Sequence, residues 1–244
     1  MASLRAALAR WPWSGASRTS MRYSAVLKRL SLQSLNNPLF TDLTLKNLHQ
    51  LLAGRTPAPL TDPARSPAAV LLLLYPKDGQ YVVHFQKRSQ FVQRHKGEVS
   101  LPGGVPHAED PDPLATALRE TYEESGVLPQ DVTIIGQMDD VPTRTGYALK
   151  VFIGTISYPY SFTASPAEVE EVLEVPLPVL QDPANWREEV RWQNGKTVKG
   201  YSFAYGPHLI YGATAKIVEQ FLGLISTVQQ NGRRKIGARK PVTA

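Results

Sequence analysis

Eight consecutive apolar residues, Ala68 to Tyr75, place the tightest constraint on how this chain folds. A strand with one face in water alternates in polarity, so an unbroken run predicts a strand buried on both faces. Gln80 to Gln86 follows the turn signal Pro-Lys-Asp-Gly and predicts the neighbouring strand. The run is far shorter than the roughly 20 apolar residues of a membrane-spanning helix, so no transmembrane segment is expected.

The stretch from Gly103 to Val127 carries the chemistry. Asp112 followed by Pro113 predicts a helix start, with the carboxylate as N-cap and the proline where its missing N–H costs nothing. In a helix running to Ser125, Glu120, Glu123 and Glu124 share one face, where like charges oppose helix formation by about 0.2–0.5 kcal/mol per pair. Arg119 takes up part of that charge. Three carboxylates beside a glycine turn suit a hard divalent cation, Mg²⁺ or Mn²⁺; the other reading of an acidic helix face is solvated surface. Gly103 and Gly104 favour the first, because they permit a sharp turn and close approach of a ligand, while Leu114, Ala117 and Leu118 give the helix a buried side.

Arg119, Glu120, Glu123, Glu124, Gly126 and Gly104 resemble the signature of the Nudix hydrolases: a glycine, five residues, a glutamate, seven more, then Arg-Glu-x-x-Glu-Glu-x-Gly. Arg119 lies fifteen positions after Gly104, one more than the general pattern, so the first glutamate falls on either Asp110 or Pro111. That extra residue is a feature of the coenzyme A diphosphatase branch. Arg88, Ser89, His95, Gly97, Val99, Pro102, Gly103 and Gly104 resemble the upstream motif of the same branch, with Leu101 in place of its usual phenylalanine and Gln93 where an arginine is common. The resemblance implies an α/β/α sandwich with a mixed β-sheet. It implies metal-dependent cleavage of the diphosphate of coenzyme A or acyl-CoA, giving 3′,5′-ADP and (acyl-)4′-phosphopantetheine. It assigns the metal and catalytic roles to Glu120, Glu123 and Glu124, a positioning role to Arg119, and substrate contacts to Arg88, Ser89, Arg94, His95, Gly103 and Gly104. A further carboxylate is expected from Glu168 or Glu171, although solvent-facing alternation also accounts for both. The alternatives are another nucleoside diphosphate derivative (an oxidised dNTP, NADH or ADP-ribose) or a Nudix-fold binding module without catalysis. The latter would be marked by loss of the glutamates, and all three are present.

Lys87 to Glu98 is polar and basic just upstream of the glycines, and reads either as a solvated loop or as cations that meet phosphate groups, with proximity to the Gly-Gly turn favouring the second. Val132 to Met138 and Tyr147 to Ile156 predict strands; between them Arg144 either reaches a phosphate or pairs with Asp139 or Asp140. Ala167 to Val175, Glu188 to Trp192 and Thr197 to Tyr205 predict further strands, the last two joined at Asn194-Gly195, a hairpin signal. Ala213, Ile217, Phe221 and Leu222 predict a closing helix over Ile210 to Leu224.

The chain of 244 residues carries a net charge of +6, but six basic residues precede the first acidic one, Asp42, and five more close the chain. Removing those eleven from 27 leaves sixteen against 21 acids, a formal −5 for the interior. A nucleic-acid binder keeps its positive charge on the folded domain, so none is expected as a partner. With no cysteine, disulfides and thiolate chemistry are excluded. Residues 1–41, Arg- and Ser-rich and free of acids, fit a mitochondrial transit peptide or a basic arm, with the matrix as destination; the closing Pro-Val-Thr-Ala is not a peroxisomal address. Expected divisions are a helix and Pro-rich linker over 42–66, the hydrolase domain over 67–228, and a disordered basic tail over 229–244. Either a monomer or a homodimer is compatible.

Overall fold

The structure is a computed structural model and describes residues 42–193 and 195–237. The segment read as a transit peptide and the last seven residues lie outside them. Helix α1 (Asp42–Ala53) precedes a long hairpin of β1 (Ser66–Lys77) and β2 (Gln80–Arg88). Two short strands, β3 (Val99–Ser100) and β4 (Gly103–Gly104), lead into helix α2 (Pro113–Ser125). Then come β5 (Thr133–Gln137), β6 (Val141–Pro142), β7 (Tyr147–Thr155), β8 (Val169–Pro176) and the short helix α3 (Leu177–Gln181). A second sheet of β9 (Trp186–Gln193), β10 (Lys196–Tyr205) and β11 (His208–Ile210) precedes the closing helix α4 (Gly212–Gly237).

The large sheet is mixed: β1 runs parallel to β7 from Ser66↔Tyr147 to Leu74↔Thr155, and its other pairings are antiparallel. Ala68 to Tyr75 are buried throughout, as the unbroken apolar run predicts. Alternate residues of β1 feed two separate cores. Ala69, Leu71, Leu73 and Tyr75 pack with Ala117 and Leu118 of α2, whereas Val70, Leu72 and Leu74 pack with Leu45, Leu48 and Leu52 of α1 and with Ile217, Val218 and Phe221 of α4. This is an α/β/α sandwich, in which each fully buried Leu contributes about 2 kcal/mol.

Two expected boundaries are corrected. Helix α1 belongs to the folded body: Leu52 lies against Gly136 of β5, where an added Cβ would come within 2.7 Å of it. The Pro-rich segment after α1 is docked as well, through an Arg55–Asp139 ion pair and hydrogen bonds from Ala58 N to Asp139 (2.7 Å) and Leu60 N to Asp140 (2.8 Å). Its prolines stop a helix without marking a division between domains. At the other end α4 continues to Gly237, through the first part of the expected tail. Ile225 and Val228 extend its buried face beyond Leu224, and a glycine such as Gly232 costs a helix only about 1 kcal/mol.

Candidate active site

Helix α2 begins as its sequence requires. Asp112 accepts from Ala115 N at 2.8 Å and Pro113 occupies the first turn; Gly126, at φ 73°, closes the helix with its N–H on Tyr122 O. The glycine turn is pinned to β1 by the pairs Ala69↔Gly104 and Val70↔Gly103 and by Leu71 N donating to Pro102 O at 2.9 Å. Gly103 has φ 150°, and a Cβ there would sit 2.3 Å from Ala69 O. At Gly104 a Cβ would meet the Glu120 carboxylate at 2.4 Å. These two glycines let the turn lie between β1 and the acidic face of α2.

Arg119, nearly buried, organises that face. It donates to Asp110 through Nε (3.1 Å) and Nη2 (3.1 Å), to Glu120 Oε1 (2.9 Å), to Glu123 Oε2 (2.9 Å) and to Val105 O (3.0 Å). Asp110 also accepts from Thr116 Oγ1 and from His107 N, both at 2.9 Å. Burial pushes its carboxyl up, but these bonds outweigh burial and hold its pKa below the ordinary value. Asp110, and not Pro111, therefore occupies the first acidic position of the motif.

Glu124 is 1% exposed. Its Oε2 accepts from Gly103 N at 2.9 Å and its Oε1 lies 3.6 Å from Arg88 Nη1. Burial pushes its carboxyl up to about 7, against the pull of the Gly103 N–H and Arg88, and the charge of Glu120 adds to the rise. Glu120 is raised too, first by burial, with Arg119 opposing and the charges of Glu123 and Glu168 adding. Glu168 thus stands within the field of the cluster, and its carbonyl accepts from Ser89 N at 2.8 Å. Glu171 faces elsewhere, 3.6 Å from His208 Nε2. Of the two expected additional carboxylates, Glu168 is the one whose charge is felt at Glu120.

The glycine turn opens into a cleft of about 990 Å³. Arg88, Arg94, His95, Gly103 and Gly104 line it, and His95 holds a left-handed backbone (φ 58°) with Nδ1 3.0 Å from Glu98. Ser89 does not line it: the residue is buried, and its Oγ accepts from Phe91 N at 3.1 Å, a loop-holding contact. Arg144 lines the cleft, while Asp139 is taken by Arg55 and Asp140 by Lys150 at 2.7 Å. Arg65, Lys199, Tyr211 and Lys216 also reach the cleft. No local pattern announces them, because the large sheet, the second sheet and α4 bring them there from distant parts of the chain.

The carboxylate cluster fits a hard divalent cation. Its donors are all oxygen, neighbouring carboxylate charges add to the rise of Glu120 and Glu124, and Arg119 and Arg88 are cations that touch them. Among the described residues no three His, Asp or Glu side chains already converge as a metal cage. Arg119 draws Glu120 and Glu123 toward itself through one oxygen of each, so the second oxygen of each is the one a cation would engage.

Residues 65–196 match the family model of the NUDIX domain. The chain belongs to the Nudix family. Nudix hydrolases act on phosphoanhydride bonds of nucleoside diphosphate derivatives and generally require a divalent metal such as Mg²⁺ or Mn²⁺. The Nudix hydrolase NudL of Photorhabdus laumondii, itself uncharacterised, is 33% identical over 174 residues, covering 71% of this chain and 92% of the relative. Nudix hydrolase 22 of Arabidopsis thaliana, a chloroplastic protein, is 31% identical over 73% of this chain, which spans 61% of that relative's length. Among solved structures, a MutT/nudix family protein from Enterococcus faecalis is similar over 86% of this chain and 76% of its own, with a TM-score of 0.45 and 14% identity. Among the described residues no helix is long and apolar enough to cross a membrane.

Proposed function

We propose that this Nudix hydrolase cleaves the diphosphate of coenzyme A and acyl-CoA, with Mg²⁺ or Mn²⁺, to 3′,5′-ADP and 4′-phosphopantetheine or its acyl form. The observation that carries this reading is the junction of two motifs at one place. The basic loop residues Arg88, Arg94 and His95, whose spacing resembles the coenzyme A diphosphatase branch, open onto the same glycine turn that Glu120 and Glu124 contact. The extra residue before Arg119, accommodated with Asp110 in the ion pair, is a second feature shared with that branch.

In this account Glu120, Glu123 and Glu124 hold the cation and Arg119 fixes their orientation. When bound, the ion supplies neutralisation of the diphosphate oxygens and polarises the attacking water. The glycine turn, free of side chains, lets the diphosphate approach, and Arg88 and Arg94 donate to its oxygens. The water oxygen forms a new bond to one phosphorus, the bridging P–O bond breaks, and Glu168 accepts the water's proton. Residues 1–41 act as the address that carries the enzyme to the mitochondrial matrix, a reading supported by their acid-free, Arg- and Ser-rich composition. An intact Met1 or Ala2 on protein purified from its own cells would contradict cleavage there.

Comparing kcat/KM for coenzyme A, acyl-CoA, NADH and ADP-ribose at equal enzyme tests the assignment. Coenzyme A derivatives are expected to lead, and a preference for NADH or ADP-ribose with release of AMP would overturn it.

A further inference from the structure

The cleft is lined by more positive than negative side chains. Arg65, Arg88, Arg94, Arg144, Lys199 and Lys216 line it, against Glu98, Glu189 and Glu219, in a chain whose interior is formally −5. Arg65 is engaged by Asp62 and Thr143 O, Arg88 by Glu124 and Lys199 by Glu188. Arg144 and Lys216 form no ion pair with a described residue. For Arg144 this is informative, because the acids beside it in sequence, Asp139 and Asp140, are spent on Arg55 and Lys150.

These two cations line the same cleft as Gly103 and Gly104. The charge of Arg144 is felt at the Tyr211 hydroxyl, and Tyr211 immediately precedes α4, whose early turns carry Lys216. Helix α4 packs on β6, next to the Arg144 turn. From Gly104 the path crosses β1 at Ala69, β7 at Lys150 and then β6, which pairs with β7 at Pro142↔Ala148. Three strand spacings and two residues along the strand put Pro142 roughly 15 Å from Gly104. A turn at that distance leaves room for a ribose between it and a diphosphate lying on the glycines.

We propose that Arg144 and Lys216 form a phosphate-monoester subsite that takes the 3′-phosphate of the substrate nucleoside; the assignment of that group rests on the coenzyme A reading. A terminal phosphate is nearly dianionic. Arg144 offers it a planar fork of donors and Lys216 a point charge, and Gly212, Ala213 and Thr214 of the first turn of α4 line the same cleft. The subsite distinguishes nucleotides by a group that the bond-breaking end never touches.

Both side chains are exposed, so replacing them leaves the core intact. The test compares coenzyme A with 3′-dephospho-CoA as substrates for the full chain and for the Arg144→Ala, Lys216→Ala double variant, and measures calorimetric binding of adenosine 3′,5′-bisphosphate against 5′-AMP. Wild type should favour the 3′-phosphorylated member of each pair, and the double variant should lose at least about tenfold of that ratio, the scale of charge-assisted hydrogen bonds. A wild-type ratio near one, or a ratio unchanged in the double variant, overturns the subsite. If neither coenzyme A compound is cleaved but the bisphosphate preference is present and falls in the variant, the subsite stands and the coenzyme A reading fails.

Discussion

Arg119 and Asp110 form a two-pronged ion pair, with Nε donating to both carboxylate oxygens at 3.1 and 3.3 Å and Nη2 to Oδ2 at 3.1 Å. Because the same guanidinium also holds Glu120 and Glu123, Asp110 sets the geometry of carboxylates it does not touch. Asp110→Ala leaves a nearly buried charge short of a partner. It is expected to destabilise by roughly 3 kcal/mol in urea unfolding and to lower kcat. Pro111→Ala, at an exposed position, should do neither.

The two glycines of the turn should fail in different ways. At Gly103 an added Cβ collides with the backbone of β1 at positive φ, so Gly103→Ala is expected to cost roughly 3 kcal/mol or more of stability. At Gly104 the Cβ meets only the end of the Glu120 side chain, which can swing away. Gly104→Ala should fold, with a melting temperature near wild type, and lose activity because the Glu120 carboxylate is displaced.

Glu168 and Glu171 are separated by three positions, and turnover should distinguish them. Glu168→Gln is expected to lower kcat by about 10²-fold or more with little change in KM, as for loss of a general base. Glu171→Gln, whose carboxylate faces His208, should leave turnover unchanged. Equal effects from the two would remove the role from Glu168.

Two buried groups give the metal-free protein opposing pH dependences. Glu124 rises from 4.5 to about 7 on folding, so between those values the native chain binds more protons than the unfolded one and stability falls as pH rises. His84, fully buried with Nε2 3.0 Å from Ser125 Oγ, drops from 6.5 to about 4, mainly through burial. The unfolded chain then binds more protons, and stability rises with pH across that window. The slopes, each at most about 1.4 kcal/mol per pH unit, largely cancel between pH 4.5 and 6.5. In EDTA, Glu124→Gln should therefore grow more stable as pH rises through this range, and His84→Phe less stable, as denaturant midpoints will show.

Fold and motif were legible to different depths. The run Ala68 to Tyr75 and the start at Asp112-Pro113 act through local chemistry, and both elements form where the residues predict. Strands β3, β4 and β6 are two residues long, too short for any periodicity to show. Pairing with neighbours makes them strands, and only coordinates reveal that. The choice between Asp110 and Pro111 turned on which side chain could reach Arg119 across a loop. Ser89 has a residue type that suits phosphate contact, but burial turns its hydroxyl to the loop backbone. Lys199, Tyr211 and Lys216 carry no motif, and their place in the cleft comes from how the second sheet and α4 fold back over it.

The most direct test is product analysis of coenzyme A incubated with the purified chain and Mg²⁺ or Mn²⁺, with and without EDTA, alongside Glu124→Gln. Equal amounts of 3′,5′-ADP and 4′-phosphopantetheine are predicted, abolished by EDTA and reduced at least about 10²-fold in the variant. Intact coenzyme A in the presence of either metal, from a folded enzyme that does cleave another nucleoside diphosphate derivative, would contradict the account.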